Sequence, residues 1–225
     1  MSNGQPFVIA LDGPAAAGKS SVGLGTAHQL GFNYFDTGLL YRALTWLALN
    51  RAAHPGQPEV LVPLIDELGI DVDPIGHVFR DGLDITDRLH QPSVDAAVSA
   101  ISAHGAVRQA MRPAQRALIR PPGLVMAGRD IGTVIVPEAP LKIWLNASVE
   151  ERARRRAAQT GEPYEQVFEG MRRRDQFDAS REVAPMARAP DAVSINTEGV
   201  DPQSVIAQIV KMARARGAVS VADRT

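Results

Sequence analysis

One stretch limits what this chain can fold into: Gly13-Pro14-Ala15-Ala16-Ala17-Gly18-Lys19-Ser20. It fits G-x-x-x-x-G-K-[ST], the pattern of a phosphate-binding loop. An apolar run, Phe7 to Leu11, precedes it as a strand, and Lys19 to Leu30 follows with the spacing of a helix. Glycines at both ends let the backbone wrap an anion with successive N–H groups pointing inward. The helix start adds unpaired donors and partial positive charge. In this pattern Lys19 reaches the β- and γ-phosphates and the Ser20 hydroxyl binds magnesium. A chain of this length matches by accident about once per hundred, and the correct flanking strand and helix lower that further. Gly13 through Ser21 are therefore expected to hold the phosphates of a nucleoside triphosphate.

Asn33-Tyr34-Phe35 then forms a short second strand ending in Asp36-Thr37-Gly38. An amphipathic helix, Leu39 to Leu49, carries Tyr41 and Arg42 in its first turn. Polar side chains at the carboxyl end of a parallel strand sit where open α/β sheets bind ligands. Core packing would explain Tyr41, and a solvated helix face Arg42, equally well. Glu59 to Leu68 is a further helix. Ile70–Val72, His77–Phe79 and Leu83–Ile85 are short alternating pieces separated by turn residues, the signature of a small antiparallel meander. Pieces so short cannot make a core alone, which implies an insertion attached to the main domain. Helices over 93–103 and 106–120 carry Ser99, Arg108 and Arg116.

Leu124 to Ala127 is continuously apolar, as a central parallel strand should be. It leads into Gly128-Arg129-Asp130-Ile131-Gly132-Thr133, an Arg–Asp pair at the sheet's carboxyl edge that is better explained as ligand-facing than as a surface ion pair. Leu141 to Leu145 is the fourth strand. Ser148 caps the next helix, and Glu151 completes a capping box. That helix holds Arg152, Arg154, Arg155 and Arg156, and the one after Gly161-Glu162-Pro163 holds Arg172, Arg173 and Arg174. Charges this dense repel, so the two helices suggest a flap that needs an anion to close. Val193–Asn196 and a helix over 202–214 end the pattern, with a loose tail expected after Arg216.

The 225 residues suit one α/β domain with an accessory piece. A net charge of −1 gives no sign of a nucleic acid or membrane partner. Without cysteine there is neither disulfide nor thiolate metal site, which fits a reducing cytoplasm. Met1 to Pro6 is too short and polar for a signal peptide. The five histidines are scattered without metal-ligand spacing. Lysine occurs only at Lys19, Lys142 and Lys211, while arginine, whose planar fork grips phosphate bidentately, supplies the other basic positions.

A phosphate-binding loop alone leaves kinases, switch GTPases and motor ATPases open. No Asn-Lys-x-Asp is present to read guanine, and Leu124–Ala127 runs into Gly-Arg-Asp instead of an acidic Walker-B residue. What remains is a strand–helix domain with an inset after strand two and an arginine flap after strand four, the layout of a nucleoside monophosphate kinase. Phosphoryl transfer needs positioning, charge neutralisation and exclusion of water more than it needs a base.

Over nearly its whole length the chain resembles the bacterial cytidylate kinases. The likeness rests on Gly13 to Ser21, on Asp36-Thr37-Gly38 with Tyr41-Arg42, on Asp81 to Thr86, and on Val107-Arg108. It continues through Gly128 to Thr133, Glu151 to Arg156, and Arg174-Asp175 to Arg181-Glu182-Val183-Ala184-Pro185. The resemblance implies a five-stranded parallel sheet of order 2-3-1-4-5 with helices on both faces, the small antiparallel β insertion, an arginine-rich helical lid, and a monomer. It implies ATP with Mg2+ as phosphoryl donor and CMP or dCMP as acceptor. Thr37, Arg42 and Arg129 would hold the acceptor's phosphate with Tyr41 beside them. Ser99, Arg108 and Asp130 would read the cytosine edge, and Asp178 and Arg181 would reach the ribose. Arg155, Arg156 and Arg174 would join Lys19 and Arg181 around the transferring phosphoryl group. Ser20 would bind the magnesium ion, with Asp36 a candidate for contact through water.

The chain departs from that pattern in three places: Ala127 stands where an acid commonly precedes Gly-Arg-Asp, His90 where an arginine is usual, and Phe177 where some relatives carry arginine. Two alternatives stay open, a kinase of this fold with another acceptor such as UMP or a non-nucleotide alcohol, and a nucleotide-binding protein without turnover. The expected organisation is one kinase unit, with its core in 1–51, 121–148 and 190–216, an acceptor region in 52–120 and a lid over about 149–189.

Overall fold

The computed structural model describes residues 6–181 and 183–219; Glu182 and the tail from Ser220 on lie outside the described residues. Among these, the parallel strands are β1 (Phe7–Asp12), β2 (Asn33–Asp36), β6 (Gly123–Gly128), β7 (Leu141–Asn146) and β8 (Val193–Asn196), in the order β2-β6-β1-β7-β8. Counting only these five, that is the expected 2-3-1-4-5. β1 lies between β6 and β7 in register, with Ile9 opposite both Val125 and Leu141.

Alternation along the central strands builds two cores. Val8 and Ala10 of β1, with Leu124 and Met126 of β6, face one side of the sheet. There they pack on α2 (Gly38–Asn50), α3 (Pro58–Asp66), α4 (Pro92–Ala103) and α5 (Gly105–Ala117). Ile9, Leu11, Val125 and Ala127 face the other side, against α1 (Lys19–Leu30) and α8 (Pro202–Ala215). A strand buried on both faces needs apolar residues throughout, hence the unbroken runs in the sequence.

β3 (Ile70–Val72), β4 (Val78–Arg80) and β5 (Leu83–Asp84) form a separate antiparallel sheet in that order. Its third piece is shorter than the alternation predicts. Ile85 turns inward, fully buried, and Thr86–His90 winds into a 3-10 turn that leads to α4. The insertion is joined to the main sheet where Tyr34 donates its N–H to Pro74 O at 2.9 Å.

The lid is a hairpin of α6 (Val149–Thr160) and α7 (Tyr164–Ala179), reversed at Gly161, which adopts φ 74°. Ala153, Val167 and Met171 form its small core, and Ala16 of the phosphate loop packs against them. Ser148 caps α6 through the Glu151 N–H as expected, but the capping box is not closed by Glu151. The Ser148 N–H goes to Glu198, while the Glu151 carboxylate is taken by Arg154 and Arg155. Two guanidinium groups out-compete one amide for that carboxylate.

Candidate active site

The carboxyl ends of the strands open into a cleft of 1160 Å3, bounded by the phosphate loop, α2, α4, the Gly128–Asp130 turn and the lid. The loop begins where β1 ends. A Cβ on Gly13 would lie 2.2 Å from Leu145 O, so no other residue fits there. Gly18, at φ 92°, turns the chain into α1. Lys19 folds back to donate to Gly13 O and Pro14 O, at 2.8 and 2.7 Å. Burial, with Arg129 nearby, pushes its amine down to about 7. Ala15, Ala16, Gly18, Lys19, Ser20 and Ser21 line the cleft, whereas Gly13, Pro14 and Ala17 support it from beneath.

Across the cleft, Thr37 donates both its N–H and its Oγ1 to Ala127 O, at 2.9 and 3.0 Å. That double bond to β6 leaves its hydroxyl oxygen at the floor. Arg42 is held by Leu89 O at 2.8 Å and by Asp95 at 2.6 Å. Tyr41 is buried in the core, and its ring lies 5.3 Å beneath the Arg108 guanidinium on the cleft wall. Arg108 itself donates to Asp130 Oδ2 at 2.6 Å and to Ser102 O at 3.1 Å. Burial lowers its affinity for a proton, but Tyr41 and Asp130 more than offset that, and the guanidinium stays charged.

Asp178 bridges two arginines. Arg129 approaches one of its oxygens at 3.3 Å, Arg181 donates to the other, and Arg181 also contacts Ser102 Oγ. Met186, in the segment after the lid, places its sulfur 3.2 Å from Arg129. Within the lid, Arg155 is tethered to Glu151, Thr197 Oγ1 and Thr197 O. Arg156 lines the cleft from an exposed position. Arg174 points inward with its Nε buried and without a partner, and burial together with Arg129 disfavours its charge. Buried Lys19 and half-buried Arg129 and Arg174 thus make this part of the cleft cationic, the electrostatic complement of phosphate groups.

The donor set also suits magnesium. Ser20 offers a hydroxyl and Asp36 a carboxylate, both on the cleft wall, and no cluster of three His, Cys, Asp or Glu exists among the described residues. Mg2+ characteristically takes one or two protein oxygens and completes its shell with phosphates and water.

All the expected acceptor-side residues line this cleft except Ser99. Ser99 lies half-buried on α4, and its carbonyl accepts from Ser102 Oγ at 3.3 Å. One turn on, Ser102 takes the lining position. Asp95, Val98 and Ser102 share one stripe of α4, a helical spacing visible in the sequence once Asp95 is known to face inward. Arg152 also escaped the sequence reading, hidden among its exposed neighbours. It is 4% exposed and donates to Ala147 O, Ala15 O and Asp175 Oδ2, the last at 2.5 Å, so it braces loop and lid and does not face the ligand. Asp12, the last residue of β1, is a third.

The family model described as cytidylate kinase matches residues 9–215. The cytidylate kinase of Geobacillus kaustophilus is 43% identical over 216 residues, covering 92% of this chain and 96% of the relative. A bifunctional pantoate ligase/cytidylate kinase of Synechococcus sp. strain CC9902 is 41% identical over 222 residues, 94% of this chain, which spans about half (46%) of that longer protein. Among solved structures, an uncharacterized protein from Eubacterium ventriosum superposes with a TM-score of 0.51 at 11% identity, covering 93% of this chain and 99% of that one. That last likeness concerns the fold alone. No helix among the described residues is long and apolar enough to cross a membrane.

Proposed function

This chain belongs to the cytidylate kinase family, and from that premise we propose the reaction in full: ATP and CMP or dCMP give ADP and CDP or dCDP, by direct in-line transfer. The observation that carries it is the buried Arg108–Asp130 pair on the wall of a cleft whose other end is a phosphate-binding loop. Asp130 can accept from the exocyclic amine of cytosine. Uracil presents a carbonyl there, leaving two acceptors face to face, and mismatched buried polar groups are costly. Arg108 supplies the donors that cytosine's ring nitrogen and carbonyl need, with Ser102 and Ser99 on the helix turn behind it.

Arg42 and Arg129 then hold the acceptor phosphate, joined by Thr37 when its hydroxyl turns from Ala127 O, and Asp178 with Arg181 reach the ribose. An oxygen of that phosphate, already ionised at neutral pH, attacks the γ-phosphorus. The bond to the β–γ bridging oxygen breaks, and ADP leaves with that electron pair. Lys19, Arg156 and Arg174 match the charge that spreads over the transferring group, while Arg155 pins the lid and Arg181 links it to the acceptor wall. Magnesium, held by Ser20 and through water by Asp36, would supply charge neutralisation at the phosphates. The core of 1–51, 121–148 and 190–216 acts as the frame, 52–120 as the acceptor region and 149–189 as the lid. A monomer is the proposed working unit, as the family resemblance implies, and a cytoplasmic place suits a chain without cysteine.

A coupled ADP-release assay with CMP, dCMP, UMP, AMP and shikimate as acceptors tests this. Turnover concentrated on CMP and dCMP is expected; equal turnover with UMP or AMP would overturn the base-reading assignment.

A further inference from the structure

At the end of β1 a carboxylate is buried without an ion-pair partner. Asp12 is 4% exposed, and its two oxygens accept the backbone N–H groups of Ile131 and Gly132 at 2.8 and 2.7 Å. These are the two amides that directly follow Arg129 and Asp130. Burial pushes the Asp12 carboxyl up to about 6, against the pull of both amides, and the neighbouring Asp130 adds to the push. A charge held at such a disadvantage in a strand otherwise apolar calls for a reason beyond packing.

The surroundings supply one. After Asp130 the chain makes a π-helical turn, Ile131–Ile135, in which Asp130 O accepts from both Val134 and Ile135. Such a turn leaves its leading N–H groups unpaired within itself. Asp12 satisfies two of them at once, and only an acceptor-only fork with two oxygens can do so; an amide would present an NH2 to one donor. The approach is close on every side: a Cβ on Gly132 would lie 3.4 Å from Asp12 Oδ2 and 3.1 Å from the Lys142 stem. At the front of the same segment, Thr37 pins Ala127 O, and a Cβ on Gly128 would strike Thr37 Oγ1 at 2.8 Å. Arg129 and Asp130 are thus suspended between two fixed points, one on β2's end and one on β1's.

We propose that Asp12 is a positioning residue for the acceptor: by clamping Ile131 and Gly132 to β1, it fixes the direction in which Arg129 and Asp130 present their side chains. This rests on the acceptor reading given above. The phosphate loop, although adjacent to Asp12, does not depend on the clamp. It is braced by Lys19 on Gly13 O and Pro14 O, by Arg152 on Ala15 O and by Thr197 on Ala17 O. Loss of the clamp therefore acts on CMP and spares ATP.

The test compares wild type with Asp12→Asn in the kinase assay, resolving KM for CMP, KM for ATP and the preference for CMP over UMP. A misaimed contact group costs about tenfold or more, so KM for CMP is expected to rise by about that factor and the CMP preference to fall by a similar one, with KM for ATP within about threefold. A folded variant in which both KM values stay put or rise alike would overturn the proposal. If Asp12→Asn does not fold, Asp12→Glu, which keeps the two acceptor oxygens but moves them off the Ile131 and Gly132 amides, is measured for the same split and decides in the same way. Amide hydrogen exchange separates this from the acceptor reading: Ile131 and Gly132 should lose protection in the variant even if wild type prefers an acceptor other than CMP. Unchanged protection of those amides also sinks the clamp.

Discussion

Arg108 and Asp130 meet at 2.6 Å with side chains 4% and 6% exposed, on the wall of a cleft large enough for two nucleotides. Burying an ion pair stabilises a fold poorly compared with apolar residues of the same shape. Its placement makes sense as a recognition edge kept dry and ready. Asp130→Asn is expected to lower kcat/KM for CMP by about a hundredfold, near 3 kcal/mol, because it reverses an acceptor facing the cytosine amine and strands a buried guanidinium. The measurement is the CMP-to-UMP ratio of kcat/KM, which should move toward unity.

Lys19 carries a proton signature. Its amine, ordinarily at 10.5, is pushed down to about 7 in the empty protein by burial and Arg129. Between those values the unfolded chain binds more protons than the folded one, so this group makes stability rise with pH across that window. Phosphates at the loop restore the charged form. ATP binding at pH 8 should therefore take up as much as about one proton per site, read by calorimetry in buffers of different ionisation enthalpy. Lys19→Met should abolish the uptake.

Arg174 should show opposed effects on stability and rate. Its half-buried guanidinium stands against Arg129, with the buried Nε unpartnered. Arg174→Gln is expected to leave the melting temperature of the nucleotide-free protein unchanged or higher, while kcat falls by about a hundredfold or more, as its proposed place at the transferring phosphoryl group requires. Thermal melts without nucleotide, beside steady-state kinetics, check both directions.

Asp36 is the carboxylate nearest in register to Ala127 and the one proposed to serve magnesium there. The two are paired across β2 and β6, and Ala127 is fully buried against the α1 side, so no acid is available at that position. Asp36 Oδ1 accepts the Gly38 N–H at 2.9 Å, a bond that asparagine can keep. Asp36→Asn should raise the magnesium concentration needed for half-maximal rate about tenfold, with kcat partly recovered at high magnesium. A magnesium titration of both proteins gives the result.

The frame of the molecule was legible because its signals are local. The loop from Gly13 to Ser20, the unbroken apolar strands and the turn residues of the meander each state their own conformation. The polar wiring was not legible, since it joins residues far apart in the chain. Asp12 bonds amides 119 and 120 positions away, and nothing at position 12 announces that distance. Arg152 sits in a run of arginines where composition cannot separate the buried brace from its exposed neighbours. Ser102 displaced Ser99 on the cleft wall because one turn of helix rotates a lining position, a difference that depends on how α4 packs on α2. Glu198 closed the cap at Ser148 because Glu151 met two guanidinium groups first.

The unpartnered Nε of Arg174, beside Arg129 and the buried Lys19, has a consequence for anyone who handles this protein. A small dianion in the buffer is expected to bind in that pocket, and by mass action it would raise the melting temperature in proportion to the logarithm of its concentration. Thermal stability measured in phosphate or sulfate is then a binding isotherm in disguise, and inhibition constants measured there are competition constants. Phosphate or sulfate in the solvent would then act as a weak mimic of the nucleotide's phosphates.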